Sequence, residues 1–404
     1  MRITTSMYYD TALQGMTRQR VKLNTLTGQV ASGSRVHNPA DNPAAYATAS
    51  RLDTRIQAYA RYQSDAGNLE SRLSLGTQTL SDAVTVLDRV RSVALQAANG
   101  TTNASNREAL ATQVASAREQ MLNLANTRAP DGHYLFAGTR GQSTPFQELA
   151  SGTVVYRGDA GRGAVSIAPS LTVNDLLTGA PFATPPDGNG YASAAAAAGN
   201  SGDATVSMQG VYDVSAASSF RRSGTAYTVS FSAGGGNLSY TVTRGGSTVQ
   251  SGQYQPGMSL NLGGVQYRFK GNPAGGDSFT LSPSRPQSVF ATLQKLVTAL
   301  RSPTDTAAQK AHLNQKLGSV LASLDQAETA MTSVEARMGV SLRAVRSAVN
   351  SDASRTTQLQ SARSNAVDVN WPKALTALNQ HQMALTAAMG TFAKISKLSL
   401  FNYV

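Results

Sequence analysis

The sequence predicts a mainly α fold with a β insert: a long antiparallel helical rod or coiled coil built from both chain ends, plus a central antiparallel β domain. Three observations predict it. Both flanks carry apolar residues at alternating three- and four-residue spacing. Between about residues 141 and 284 that spacing vanishes, glycine becomes frequent and short alternating runs take over. The composition suits helices packed side by side: Ala, Ser, Thr and Gly dominate the 404 residues and only 6% are aromatic.

The first helix is expected to run to about Ser32. Tyr9, Ala12, Met16, Gln19, Leu23, Leu26 and Val30 form its seam, with Gln19 as one polar interruption. Gly33 is a natural left-handed stop. The stretch "ASGSRVHNPADNPAAYATASRL" then places Pro39 and Pro43 four residues apart. Each proline lacks an N–H and pushes its predecessor out of helical geometry. Asp41 is the expected N-cap of the next helix, with Pro43 in its first turn. That helix should span Pro43 to Ala98, with Leu69, Leu73, Gly76, Leu80, Ala83, Leu87, Val90, Ala94 and Ala97 on one stripe. Ser105 and Glu108 make a capping-box pattern ahead of a third helix carrying Leu110, Val114, Ala117, Met121 and Leu124.

The runs "AYTVSFSA", "LSYTVTRGG", "GVQYRFKG" and "DSFTLSP" read as strands separated by glycine turns. "YASAAAAAGN" (191–200) reads as either a surface loop or a short helix. Helix returns after Pro286 with Val289, Leu293, Leu296 and Leu300, and again from about 306 to 365. The second of these carries an almost unbroken seam from Leu313 through Leu317, Val320, Leu324, Met331 and Met338 to Val345 and Ala348. At 1.5 Å per residue it is roughly 90 Å long, and a helix of that length needs partners along it. The last helix offers Trp371, Leu375, Leu378, Gln382, Leu385, Met389 and Phe392; the ending with Leu398, Leu400, Phe401 and Tyr403 reads as either a docking segment or a frayed tail. The implied divisions are 1–42, 43–140, 141–284, 285–365 and 366–404.

The net charge of +12 sits in the flanks: residues 1–140 hold 15 basic and 10 acidic side chains, 141–284 hold 7 and 7, and 285–404 hold 13 and 6. The basic residues are scattered singly along helices, unlike a nucleic-acid patch. There is no cysteine, which excludes disulfides and thiol chemistry. The start "MRITTSMYYDTALQGM" has no continuous apolar core, and no run reaches membrane-spanning length. His37, His133, His312 and His381 lack metal-ligand spacing. No catalytic, cofactor or metal site is expected.

Several ordered stretches resemble the bacterial flagellin superfamily. "SGSRVHNPADNP" is similar to that family's joint, and "VRSVALQAANGTTNASNREALATQV" to its helix–turn–helix. "DGHYLFAGT", with Asp131, Gly132, Tyr134, Phe136, Ala137 and Gly138, and "VDVNWPKAL" and "LSLF" resemble the branch that forms the hook–filament junction more than filament subunits. The likeness covers about 1–140 and 285–404. It implies a non-enzymatic structural adaptor outside the cell, exported without a cleaved signal. The implied partners are copies of itself, a hook-associated protein on the hook side, flagellin on the filament side, and a cytoplasmic export chaperone at the C-terminal helices, with no nucleic acid and no membrane.

In that reading Met16, Leu23, Leu26, Val30, Leu375, Leu378, Leu385, Met389 and Phe392 form an assembly seam, and Gly33, Pro39, Asp41 and Pro43 a rigid joint between two helix tilts. The alternatives are filament flagellin itself, a basic coiled-coil protein binding DNA or anionic surfaces, and a β-domain enzyme or carbohydrate binder on a helical stalk.

Overall fold

The computed structural model describes residues 5–99, 102–161, 163–174, 177–234 and 237–400. The chain forms two compact units, one of residues 1–65 and 348–404, the other of residues 66–347. Eight helices lie among the described residues: α1 (Thr5–Ser32), α2 (Pro43–Ala98), α3 (Ala104–Ala125), α4 (Ala180–Ala183), α5 (Val214–Ser223), α6 (Val289–Leu300), α7 (Ala307–Val367) and α8 (Trp371–Leu400). The long helices fall where the 3,4 spacing places them.

In the larger unit every expected seam residue of α2 from Leu69 to Ala97 is buried, as are Leu313, Leu317, Val320, Leu324, Met331 and Val345 of α7. Gly76 belongs to that stripe because a Cβ there would strike the Met338 and Leu177 side chains. α2 and α7 run antiparallel: Glu70 pairs with Arg346 at 2.7 Å, and Arg91 pairs with Asp325 and Glu328. α3 lies on α6, where Glu108 takes a two-pronged grip from Arg301. Glu108 is therefore an ion-pair partner and not half of a capping box. The N-cap is Asn103, whose side chain accepts the Asn106 N–H at 2.8 Å. A helix start two residues earlier serves because an amide side chain reaches the same orphan donors as a serine.

The insert holds twelve strands among the described residues. Two small hairpins come first, β1 (Phe146–Glu148) with β2 (Val154–Tyr156) and β3 (Ala164–Ala168) with β4 (Leu171–Asn174). A sandwich follows. One antiparallel sheet has the order β5 (Ala192–Ala196), β12 (Ser278–Pro283), β7 (Tyr227–Gly234), β8 (Asn237–Arg244), β9 (Ser247–Gln253). The other has the order β10 (Ser259–Leu262), β11 (Val265–Lys270), β6 (Thr205–Val211). Phe231, Tyr267, Phe269 and Phe279 fill the core between them, with Phe220 of α5. The alanine tract is thus neither a loop nor a helix: Ala192 and Ala194 face this core from β5. Alanine is a weak strand former, but β5 is paired along its length with β12 and its Ala192 and Ala194 join the sandwich core. Gln315 of α7 reaches between the sheets, donating to the Ala194 carbonyl at 3.3 Å and accepting the Val206 N–H at 2.8 Å. Ser323 accepts the Gly188 N–H and His312 meets the Asn200 carbonyl, so the sandwich is fastened to α7 by three side chains of that helix.

In the smaller unit α1 packs along α8, and the start of α2 meets the end of α7, with Asp53 paired to Arg363 at 2.5 Å.

Candidate assembly interface

The smaller unit holds the expected assembly residues. On α1, Met16, Leu23, Leu26 and Val30 are half-buried, together with Tyr9, Ala12 and Gln19, while nearly all other side chains of the helix are exposed. On α8 the half-buried positions are Ala377, Leu378, His381, Leu385, Ala388 and Phe392, with Ala374 buried. Tyr9 meets Phe392 edge-on at 5.5 Å. Gln19, the polar break in the seam, bonds His381 Nδ1 at 2.7 Å. A lone polar pair at a seam fixes register, because sliding the helices would strand both groups.

Leu375 and Met389 are not brought into this contact. They are 46% and 49% exposed, beside Trp371 at 49%. Two 3,4 frames run along α8 and share Leu378, Leu385 and Phe392; α1 covers the frame containing His381, leaving Leu375, Gln382 and Met389 outward. Leu398, Leu400, Phe401 and Tyr403 lie outside the residues whose side chains are described.

The joint is built from both chain ends. Gly33 stops α1 at φ 72°. The chain then pairs with the α7–α8 turn: Arg35 N–H donates to the Val367 carbonyl at 2.6 Å and Val369 N–H to the Gly33 carbonyl at 2.9 Å. Ser34 Oγ and the Arg35 guanidinium add bonds to the carbonyls of Val367 and Ala366. Val36, Ala49 and Val367 make a small core beneath. Asp41 does not cap α2. Its Oδ2 accepts the N–H groups of His37 and Asn38 at 2.9 and 3.0 Å, and those bonds, Asn38's first, hold its carboxyl below the usual range. The cap is Asn42, which accepts the Ala45 N–H at 3.0 Å, and Pro43 is the first helical residue. With Asp41 spent on the turn, the adjacent amide faces the helix. Pro39 is exposed in that turn. Sequence reading missed Ser34, Arg35 and Val367–Val369; their signal is the alternation of "VDV" just before the helix-starting Asn370-Trp371-Pro372.

The "DGHYLFAGT" motif lies in the larger unit and ties loops to helices. Asp131 pairs with Arg72 at 2.6 Å and accepts the His133 N–H. Burial opposes ionisation of Asp131, but these bonds outweigh it and its pKa falls. Gly132 and Gly138 hold φ 84° and 67°. Tyr134 bonds Thr144 and Arg128, whose guanidinium lies 4.3 Å from the ring centre. Phe136 and Ala137 are fully buried. A Cβ on Gly138 would strike Asp159, whose carboxylate is held by Thr139 and Gly161. A cavity of about 530 Å³ opens beside β5, α6 and α7. Lys295, Lys316 and His312 line it, with no carboxylate. Among the described residues no group of His, Asp and Glu is placed to hold a metal, and no helix is long and apolar enough to cross a membrane.

Residues 3–141 match the family model for the bacterial flagellin N-terminal helical region. The chain is 32% identical over 152 residues to flagellar hook-associated protein 3 of Salmonella typhimurium, covering 38% of this chain and 48% of that protein. The chain thus spans about half the length of the curated relatives it matches. In the crystal structure of Xanthomonas campestris FlgL the likeness covers 78% of this chain and 99% of that one, at 31% identity and a TM-score of 0.69. The chain belongs to the hook-associated protein 3 group of the flagellin family. The flagellar junction protein FlgL from Legionella pneumophila is also similar, at 28% identity and a TM-score of 0.70 over 79% of this chain and 99% of that one. For this family member the long helices and the central antiparallel region follow the family's fold, and the matched relatives are structural components of flagella.

Proposed function

We propose that the chain is a structural adaptor at the hook–filament junction of the bacterial flagellum, assembling outside the cell through α1 and α8. The observation that carries this reading is the terminal hairpin. Its inner seam is only half covered, and Trp371, Leu375 and Met389, each about half exposed, form a second apolar stripe on α8 that the described residues leave open. Two narrow helices cannot bury both stripes; neighbouring copies, a hook-associated protein and flagellin supply the remaining cover. The joint at Gly33–Pro43 then sets the angle between α1 and α2. Before export, a cytoplasmic chaperone covers α8. The resemblance of "DGHYLFAGT" to the junction branch favours this role over bulk filament formation.

The test is to locate the protein on isolated hook–basal bodies with and without filaments. Few copies, confined to the hook's distal end and retained when filaments are shed, are expected. Distribution along the filament would establish the flagellin alternative instead.

A further inference from the structure

Beyond Ala348 the inward positions of α7 change chemistry: Asp352, Thr356, Leu359, Arg363 and Ala366 follow the aliphatic run. Asp352 is 3% exposed, and its Oδ2 is buried with no hydrogen-bond donor. The other buried acid, Asp277, accepts the N–H groups of Ser201, Gly202 and Ala274. A carboxylate oxygen closed to water and, among the described residues, given no donor favours the protonated side chain over the ionised one. Burial pushes the Asp352 carboxyl up, and Arg355 on the same helix pulls it back only in part. On α2 the Asp53–Arg363 pair sets the antiparallel register. Counting along both helices from that pair places Ser64 across from Asp352. The nearest charged α2 residues are then Arg61 and Asp65, both exposed.

We propose that Asp352 makes the pairing of α2 residues 43–65 with α7 residues 348–367 a weak, pH-sensitive joint, tight when the side chain is protonated and loosened when it ionises. This segment is also the mounting of the terminal hairpin, since residues 33–36 are bonded to 366–369 at its end. Loosening it frees α1 and α8 to reorient without disturbing the aliphatic seam of the larger unit. The direction follows from linkage. An acid whose pKa is raised by folding leaves stability intact below the ordinary carboxylate value and removes it as pH rises through the folded-state value.

The test is amide exchange of the full chain, read by mass spectrometry as protection factors for residues 349–360 in wild type, Asp352→Asn and Asp352→Leu. In wild type, protection should fall roughly tenfold or more between about pH 4 and pH 7. Both variants should show no such fall, with Asp352→Leu at least about tenfold better protected at pH 7. Residues 317–324, in the aliphatic seam, should behave alike in all three. Parallel pH dependence in the three proteins, or weaker protection in both variants, would overturn the proposal.

Discussion

Single acids in this chain respond to pH in opposite directions, according to whether hydrogen bonds or burial dominates their surroundings. Asp41 and Asp159 lie below the usual carboxylate range, Asp41 through the N–H groups of Asn38 and His37, Asp159 through the Thr139 hydroxyl and then the N–H groups of Thr139 and Gly161. Their contribution is present above the ordinary value and is lost as pH falls through the depressed one, whereas Asp352 acts in the other direction. Acidifying below about pH 4 should therefore expose the His37 and Asn38 amides to exchange, and Asp41→Ala, which removes the acceptor, should expose them already at neutral pH; unchanged exchange in that variant would contradict the role of Asp41. Tyr267 presents a different case. Its ring is fully buried, its hydroxyl has no partner among the described residues, and burial pushes its pKa up. Tyr267→Phe should stabilise the chain by about 1 kcal/mol, since an unsatisfied buried hydroxyl carries its whole desolvation cost. A lower urea midpoint would show that the hydroxyl has a partner. Gly138→Ala should cost about 2–3 kcal/mol, because a side chain at φ 67° is strained and its Cβ meets Asp159.

At the scale of elements, most of the fold was legible, and the misses have physical causes. The seams of α1, α2 and α7 could be read because one apolar stripe at 3,4 spacing leaves a single face to bury. On α8 two such stripes overlap, and α1 chooses between them through Gln19 and His381, a polar pair that a hydrophobic count passes over. Asn42 and Asn103 took the caps expected of Asp41 and Ser105, since residues one or two apart compete for the same donors. The hairpins β1–β2 and β3–β4 were unread because strands of three to five residues carry too little alternation, and α5 because its ten residues make fewer than three turns. The overlap on α8 yields a paired test. Leu385→Asp places a carboxylate in the covered seam and should weaken α1–α8 pairing by about 2–3 kcal/mol, with loss of junction incorporation. Met389→Asp should leave the hairpin of the free chain intact by circular dichroism yet still impair incorporation. Normal incorporation of the Met389 variant would remove the outward stripe from the assembly surface.

At the scale of the whole molecule, residues 141–284 are not one peripheral block. The larger unit divides them by packing. Phe146 meets Phe182 edge-on at 5.8 Å and the tilted ring of Phe290 of α6 at 5.4 Å, and Phe182 lies 5.1 Å from Phe136. All four rings are buried, so the first part of the insert shares a core with the helices. The sandwich has a core of its own and departs on a two-stranded stalk: Asp187 N–H donates to the Arg285 carbonyl at 2.9 Å and Gln287 N–H to the Pro185 carbonyl at 2.8 Å. Deleting 141–284 should therefore unfold the larger unit, because each lost ring costs about 3–5 kcal/mol against a total stability of about 5–15 kcal/mol. Excising only 188–284 and closing the stalk with a short turn should leave it folded. Gln315, Ser323 and His312 would then face water, where their lost bonds are replaced at little cost. Thermal unfolding of the two deletions separates the alternatives. A cooperative transition near the wild-type midpoint is expected for the 188–284 excision alone. Its loss there would mean that the fastening of the sandwich to α7, and not the aromatic core, sustains the helical body.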